Sequence, residues 1–264
     1  MRKLICFFLF LAPSVFAGEL MVHPTRLVFD GNTRTAQVDV INSGTETMTY
    51  RISVIRRRMT ETGDFVAVDE PANGERFSDE MIRFSPRQVV LPPGVAQAVR
   101  LQIRKPAELE EGEYRAHLLF QALPPVESEA ADRPAVETKE LEINLHAVYS
   151  VSIPVIVRHG STTAAVAIRD LAVRDGAVTF AIDRTGTRSV YGDLVVSLRN
   201  GRGVERVLAR ANGVAVYTPN ATRRVRLPLG AQSLPLPAGE LHVSFTERKE
   251  QSNRIEAASA VVLR

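Results

Sequence analysis

Residues 141–160 have the sequence LEINLHAVYSVSIPVIVRHG, in which apolar and polar side chains alternate over most of the length. Alternation with a period of two is the pattern of a β-strand that buries one of its faces. Ordinary strands have about five or six residues, so the predicted strand is unusually long. Its apolar face carries Leu141, Ile143, Leu145, Ala147, Tyr149, Val151 and Ile153.

Two interpretations of this strand remain open from its residues. It is either a long core strand at the edge of a β-sandwich or a strand whose first half is exposed. An exposed apolar edge strand promotes aggregation unless another element covers it. A partner chain can cover it by strand addition, in which main-chain hydrogen bonds give affinity and alternating side chains fill pockets.

The same alternation recurs in shorter segments along the chain, and no segment shows sustained helical periodicity. Turn-forming pairs such as Asp30-Gly31 and Asp175-Gly176 separate these segments. Short strands separated by turns are typical of β-sandwiches, so we predict an all-β fold. The predicted core positions include Val38, Val40, Met48, Tyr50, Ile52, Val54, Val99, Leu101, Ile103, Tyr114, Ala116, Leu118 and Phe120, and then Val178, Phe180, Ile182, Leu194, Val196, Leu198, Val225, Leu227, Leu241, Val243 and Phe245.

The length of 264 residues suits two domains of ordinary size. A polar cluster at residues 158–161 ends the long strand, and we place the domain boundary there. The prediction is an N-terminal domain of residues 18–158 and a smaller C-terminal β-sandwich of residues 159–264. The segment 123–139 is rich in Pro, Glu and Ala and lacks alternation, so we predict a long flexible connection before the long strand.

Residues 1–17 have the features of a secretory signal peptide. Arg2 and Lys3 precede a short apolar run at residues 4–12, and Val15-Phe16-Ala17 matches a cleavage pattern. The run is well below the ~20 residues of a membrane-spanning helix, which favours a signal peptide over an uncleaved anchor. We predict cleavage after Ala17 and a periplasmic location. Cleavage removes Cys6, the only cysteine of the chain, so the mature protein cannot form disulfides.

Charge and motif content argue against several functions. Removing residues 1–17 takes away two basic residues and no acidic ones, which lowers the net charge from +3 to +1 and gives no argument for nucleic-acid binding. The chain has no nucleophile-elbow or phosphate-loop motif. We therefore expect no enzymatic activity, no cofactor, no metal and no small-molecule substrate. Metal-ligand spacing is absent among the histidines, which are His23, His117, His146, His159 and His242.

Five segments of the first domain carry motifs of a known family, and they occur in the family's order. They are HPTRLVFDG (23–31), VINSGTETMTYRISV (40–54), FSPRQVVLPPGVAQAVRL (84–101), EGEYRAHLLFQALPP (111–125) and SIPVIVR (152–158). Together these segments resemble the PapD-like family of periplasmic pilus chaperones. The resemblance implies two immunoglobulin-like β-sandwich domains in a boomerang arrangement. The SIPV form at residues 152–155 resembles the archaic, sigma-type branch of chaperone–usher systems.

The resemblance implies a function. Chaperones of this family lend a long strand to a pilus or surface-fibre subunit that lacks its own last strand, and deliver the subunit to an outer-membrane usher. It further implies that Arg26 anchors the carboxylate of the subunit and that Glu113 and Arg158 form an interdomain salt bridge. The side chains implied to enter the subunit groove are Leu141, Ile143, Leu145, Ala147, Tyr149 and Val151.

Three questions stay open at the level of the sequence. Well-known members of the family place a lysine on the donor strand as a second anchor, whereas this chain has Pro154 or, in a shifted register, Ser150. The free chaperone could cover its apolar strand by forming a homodimer. The alternative function is that of an exported structural or adhesive subunit of a surface fibre. A self-polymerising subunit would need its own alternating N-terminal extension, and only residues 19–22 precede the first predicted strand.

Overall fold

A computed structural model describes residues 20–124, 149–230, 233–248 and 255–263. Within these ranges the chain forms eighteen β-strands, and a short 3-10 turn lies at Asp79–Met81. The predicted all-β fold is confirmed. Within the same ranges, no helix has the length and apolar character that crossing a membrane requires.

The first half of the chain forms a sandwich of two sheets. One sheet has the strand order β1-β3-β9-β7 and the other has the order β2-β11-β10-β4-β8, while β5 and β6 form a separate hairpin. β1 and β2 are the two parts of the first strand, and they lie in different sheets. This strand order is immunoglobulin-like. The strands are β1 (Leu20–His23), β2 (Leu27–Phe29), β3 (Thr35–Asn42), β4 (Met48–Ile55), β5 (Arg57–Met59), β6 (Phe65–Ala67), β7 (Ile82–Ser85), β8 (Gln88–Leu91), β9 (Ala96–Ile103), β10 (Gly112–Leu123) and β11 (Ser150–His159).

The second half forms another sandwich, with sheet orders β12-β13-β16 and β15-β14-β17-β18. All of its strand pairs are antiparallel. The chain passes from the first sandwich to the second between the end of β11 and the start of β12. The strands are β12 (Ala164–Arg174), β13 (Ala177–Gly186), β14 (Val190–Arg199), β15 (Glu205–Val216), β16 (Thr222–Pro228), β17 (Gly239–Glu247) and β18 (Glu256–Leu263).

Each sandwich has its own hydrophobic core, and most of the core positions predicted from alternation are buried in it. Five of them are only partly buried and pack against the cores, namely Met48, Val54, Tyr114, Val225 and Leu227. Val38, Val99 and Leu118 are fully buried in the first core. Ile182 and Leu194 are fully buried in the second. The period-two pattern therefore located the face that each strand turns toward its core.

The two cores are connected by side chains from the outer face of the first sandwich. Ile156 on β11 and Met59 on β5 are buried in the hydrophobic cluster of the second sandwich, and Val28 packs against it. The neighbours of Ile156 in the chain, Val155 and Val157, point into the first core instead. β11 therefore contributes one face to each sandwich.

Candidate functional site

β11 carries an apolar stripe that leaves the first core toward its N-terminal end. Val157 and Val155 are fully buried and Ile153 is nearly so. Val151 is half-buried, and Tyr149 exposes 54% of its surface. The remaining predicted groove residues, Leu141, Ile143, Leu145 and Ala147, lie outside the described residues. The apolar side chains thus become more exposed as the strand approaches those residues.

β11 also has an edge that is only partly paired. β10 pairs with it along its whole length, from Gly112↔His159 to Gln121↔Ser150. On the opposite edge β2 runs parallel to it and pairs with residues 155–157 alone. Among the described residues, no strand pairs with 150–154 on that edge. A strand edge of this kind can accept another strand through main-chain hydrogen bonds.

Arg26 lies where the first strand changes sheets, directly before β2. Its Nη1 donates a hydrogen bond of 2.8 Å to the hydroxyl of Tyr217 in the second sandwich. The guanidinium carbon is 4.7 Å from the ring centre of Tyr191 and 5.3 Å from that of Tyr217. Aromatic faces attract cations at such distances. Arg26 is therefore held against the second sandwich, at the cleft between the two.

Glu113 and Arg158 are brought together on adjacent strands of the first sandwich. Arg158 Nε donates to Glu113 Oε2 at 3.1 Å, and neither side chain is exposed. The carboxylate of Glu113 also accepts hydrogen bonds from Ser189 in the second sandwich. The main-chain N of Ser189 donates at 3.0 Å, and its Oγ donates to the same carboxylate. The ion pair thus lies within one sandwich, and its carboxylate connects to the other.

The β5–β6 hairpin was not predicted, because its strands have three residues each and are too short to show a period. Its tip lies against the second sandwich. Asn220 Nδ2 donates to the carbonyl of Met59 at 2.8 Å, and the main-chain N of Arg224 donates to the carbonyl of Glu61 at 2.7 Å. Arg224 and Glu61 also form an exposed ion pair at 3.1 Å. The hairpin therefore forms one wall of the cleft.

His117 is buried in this cleft, on the face of β10 that points away from the first core. The ring of Phe65, from the hairpin, packs edge-on against it at 4.9 Å between centroids. Burial, together with the positive charges of Arg115 and Arg57, lowers the pKa of His117 from 6.5 to about 3. The imidazole is therefore uncharged at neutral pH. The sequence placed His117 on a polar strand face and gave no signal of its burial.

A cavity of about 210 Å³ lies beside His117. Its walls come from the hairpin, from β10 and β11, and from the second sandwich. Pro154, which stands where well-known family members carry a lysine, lines it and donates no hydrogen bond. The described part of the chain contains no cluster of three or more His, Cys, Asp or Glu that could hold a metal ion. The residues that line the cavity with Pro154 include Phe65, His117, Ser152, Tyr217 and Arg223.

No protein-family model matches the chain, and no curated protein matches it. The chain does match solved structures. The chain is similar to the CupB2 chaperone of Pseudomonas aeruginosa, with 12% identity, coverage of 91% of this chain and 100% of that one, and a TM-score of 0.49.

Two further neighbours come from structures of chaperone complexes. One is a chain of the CsuC–CsuE chaperone–tip adhesion subunit pre-assembly complex from archaic chaperone–usher pili of Acinetobacter baumannii. It is 12% identical to this chain, the match covers 90% of this chain and 98% of that one, and the TM-score is 0.48. The other is from the complex of the SafA pilin with the SafB chaperone of Salmonella enterica. It is 12% identical, the match covers 93% of this chain and 96% of that one, and the TM-score is 0.44.

Proposed function

We propose that this protein is a periplasmic chaperone of the chaperone–usher type, which binds pilus or surface-fibre subunits by lending them a β-strand. The observation that supports the proposal is the combination found on β11. Its apolar stripe leaves the core at Val151 and Tyr149, and its edge at residues 150–154 has no partner strand among the described residues. A strand with both properties can complete the sheet of another protein.

The donated segment consists of the exposed part of β11 and the residues that precede it. Each large apolar side chain that enters a subunit groove contributes about 1.5–3 kcal/mol of transfer free energy. Ordering of the donated residues opposes part of this gain. The sum still favours tight capture of a subunit that lacks its own strand. The proposed groove residues are Leu141, Ile143, Leu145, Ala147, Tyr149 and Val151.

The proposal assigns the remaining predicted residues to supporting roles. Arg26 lies in the cleft between the sandwiches, and a guanidinium can bind a carboxylate with two parallel hydrogen bonds. Glu113 and Arg158 fix the outer face of β10 and β11 against the second sandwich. Delivery to an outer-membrane usher and export after cleavage at Ala17 belong to the same proposal. The function requires no cofactor and no chemical step.

Co-purification of a partner tests the proposal. The mature chain is expressed in a periplasm with each product of the genes adjacent to its own, and the captured partner is identified and quantified. We expect a 1:1 complex with a small β-rich protein that is insoluble when expressed alone. Fibres formed by the protein in the absence of any partner would favour the alternative, a structural or adhesive subunit.

A matched pair of variants locates the contact on the donated strand. Leu145→Glu places a charge on the apolar face, where a subunit groove would have to bury it, so we expect capture to be lost. Asn144→Glu places the same charge on the opposite face of the same strand, and we expect capture to persist. Normal capture by Leu145→Glu would remove the donor-strand assignment.

A further inference from the structure

The second sandwich has one end at the cleft and one end that points away from it. Ser189, before β14, and Tyr217, after β15, lie at the cleft end. Because the strands are antiparallel, the ends of β12, β14, β16 and β18 and the starts of β13, β15 and β17 all lie at the opposite end. We call this end the distal pole; its described residues are 174–177, 199–207, 226–230, 233–240 and 260–263.

Large apolar side chains are exposed at the distal pole. Val204, at the β14–β15 turn, exposes 62% of its surface, and Val262, at the end of β18, exposes 67%. Val207 and Leu234 are exposed as well. The described part of the chain exposes ten large apolar side chains, so four of them are concentrated at this one end. Exposed apolar side chains that are grouped in this way indicate an interaction surface.

These side chains occupy separate corners of the pole. β15 and β18 are the two edges of one sheet, with β14 and β17 between them, so Val204 and Val262 are about 14 Å apart at strand spacings of about 4.8 Å. Leu234 lies beside the β12–β13 turn of the other sheet, where a Cβ on Gly176 would be 3.3 Å from its Cδ1. A flat surface can contact three such corners at once, whereas an added strand cannot.

Exposed arginines surround the apolar corners. Arg202 lies in the same turn as Val204, and Arg206 follows on β15. Arg174 precedes the β12–β13 turn, and Arg226 Nη2 donates to a main-chain carbonyl of that turn at 3.1 Å. Within the described part of the chain, none of these four guanidinium groups pairs with a carboxylate. Their charges are therefore available to a partner.

Two acids of the pole are already bound by its own residues. Glu205 accepts from the hydroxyl of Ser197 and lies 3.8 Å from Arg199, and Glu240 lies 2.8 Å from Nε2 of His242. The described residues of the pole contain five arginines and three acids, so the pole is positive. The mature chain has a net charge of only +1, which makes this charge a local property. A second copy docked pole to pole would be repelled, and an anionic partner is attracted.

We propose that the distal pole docks on an anionic lipid surface. Val204, Leu234 and Val262 enter the headgroup region, and the arginines between them contact lipid phosphates. Interfacial binding of this kind gains from both buried apolar area and electrostatic attraction. Because the pole lies opposite the cleft end, docking leaves the cleft and the open edge of β11 facing away from the membrane. The protein then binds a partner chain and a lipid surface at the same time.

Co-sedimentation of the full mature chain with vesicles tests the proposal. One set of vesicles is phosphatidylcholine alone, and the other contains about one third phosphatidylglycerol. We expect the partition coefficient to be at least about tenfold larger for the anionic vesicles at low ionic strength, since each arginine near such a surface contributes about fivefold. Added sodium chloride should reduce it through screening. Absence of binding to the anionic vesicles, or equal binding to both sets, would overturn the proposal.

One pair of variants tests the apolar contact. Val204→Asp removes an apolar corner and adds a negative charge, so we expect it to lower the partition coefficient at least about tenfold. Val90→Asp makes the same change at a valine of the first sandwich that exposes 60% of its surface, and we expect binding to persist. Both positions are exposed, so both variants should fold. Equal binding by the two variants would show that Val204 does not touch the lipid and would overturn the proposal.

Two double variants test the electrostatic contact. Arg202→Gln combined with Arg206→Gln should lower the partition coefficient about 25-fold, at about fivefold for each charge. Arg51→Gln combined with Arg100→Gln removes the same charge from exposed positions on β4 and β9, and it should have a much smaller effect. Losses of the same size in both double variants would assign binding to the overall charge of the protein and would overturn the docking of the pole.

A protein partner at the pole is the other outcome that these variants detect. If the native chain ignores the anionic vesicles and Val204→Asp lowers the amount of partner recovered by co-purification, the pole binds protein and the lipid proposal is wrong. Strand donation is unaffected by failure of lipid binding, because it depends on β11 and is tested separately with Leu145→Glu.

Discussion

Glu113 and Arg158 face each other across β10 and β11, and both side chains are completely shielded from solvent. Asp30 is a second acidic neighbour of Arg158, at 3.6 Å, and is partly exposed. Ions taken out of water must be paired and hydrogen-bonded, because an unpaired buried charge is strongly destabilising. The carboxylate of Glu113 meets this need on both sides, through Arg158 in its own sandwich and Ser189 in the other. One buried acid therefore connects the two sandwiches, in addition to the contacts of Arg26 and of the β5–β6 hairpin.

Glu113→Ala tests this dependence. It leaves Arg158 buried with a weaker partner and removes the bonds to Ser189, so we expect the free energy of unfolding to fall by about 3–5 kcal/mol. Urea denaturation of the mature chain measures it. Glu110→Ala, which removes an exposed partner of Arg76, is the control and should have a small effect. A loss of similar size in both variants would contradict a special role for Glu113.

The stability of the protein should depend on pH through His117. Its pKa is about 3 in the folded protein and 6.5 in the unfolded chain, so only the unfolded chain binds this proton between those values. The contribution of the neutral ring is complete above pH 6.5 and is lost as the pH falls toward 3. Each proton changes the free energy of unfolding by about 1.4 kcal/mol per pH unit.

His117→Phe removes the group that binds this proton, so the free energy of unfolding of the variant should fall less steeply as the pH decreases. Between pH 7 and pH 5 we expect it to lose about 2 kcal/mol less than the native sequence. Urea denaturation at the two pH values is the measurement. Parallel pH profiles of the two proteins would show that His117 reaches water in the folded state.

Arg26→Ala should weaken the capture of a subunit. The substitution removes the guanidinium from the cleft together with its contacts to Tyr191 and Tyr217, which are worth about 1–2 kcal/mol of stability. Tyr217→Phe is the matched control, because it removes the hydroxyl that accepts from Arg26 and leaves the guanidinium in place. The amount of subunit purified per chaperone is compared in the two variants. Equal capture by Arg26→Ala and the native sequence would mean that Arg26 only joins the sandwiches.

Alternation was sufficient to predict which face of a strand turns toward its core, as in β9, β10 and β14, because a period of two follows from strand geometry. It could not find β5 and β6, which are too short for a period. It also could not distinguish a face exposed to water from one covered by another sandwich. His117 and Arg115 lie on such a face, and both are nearly fully buried. Their burial results from contacts with Tyr217 and Phe65, which are distant in sequence and follow no local pattern.

The short parallel pairing of β2 with β11 has a consequence for which partners the protein can accept. Since β2 closes the edge at Val155, a strand that pairs with residues 150–154 of β11 must end or leave the sheet before that residue, whatever its sequence. The length over which a partner can pair is therefore set by β2 and not by the partner. Under the proposed function, subunits with unrelated sequences meet the same limit at the same place.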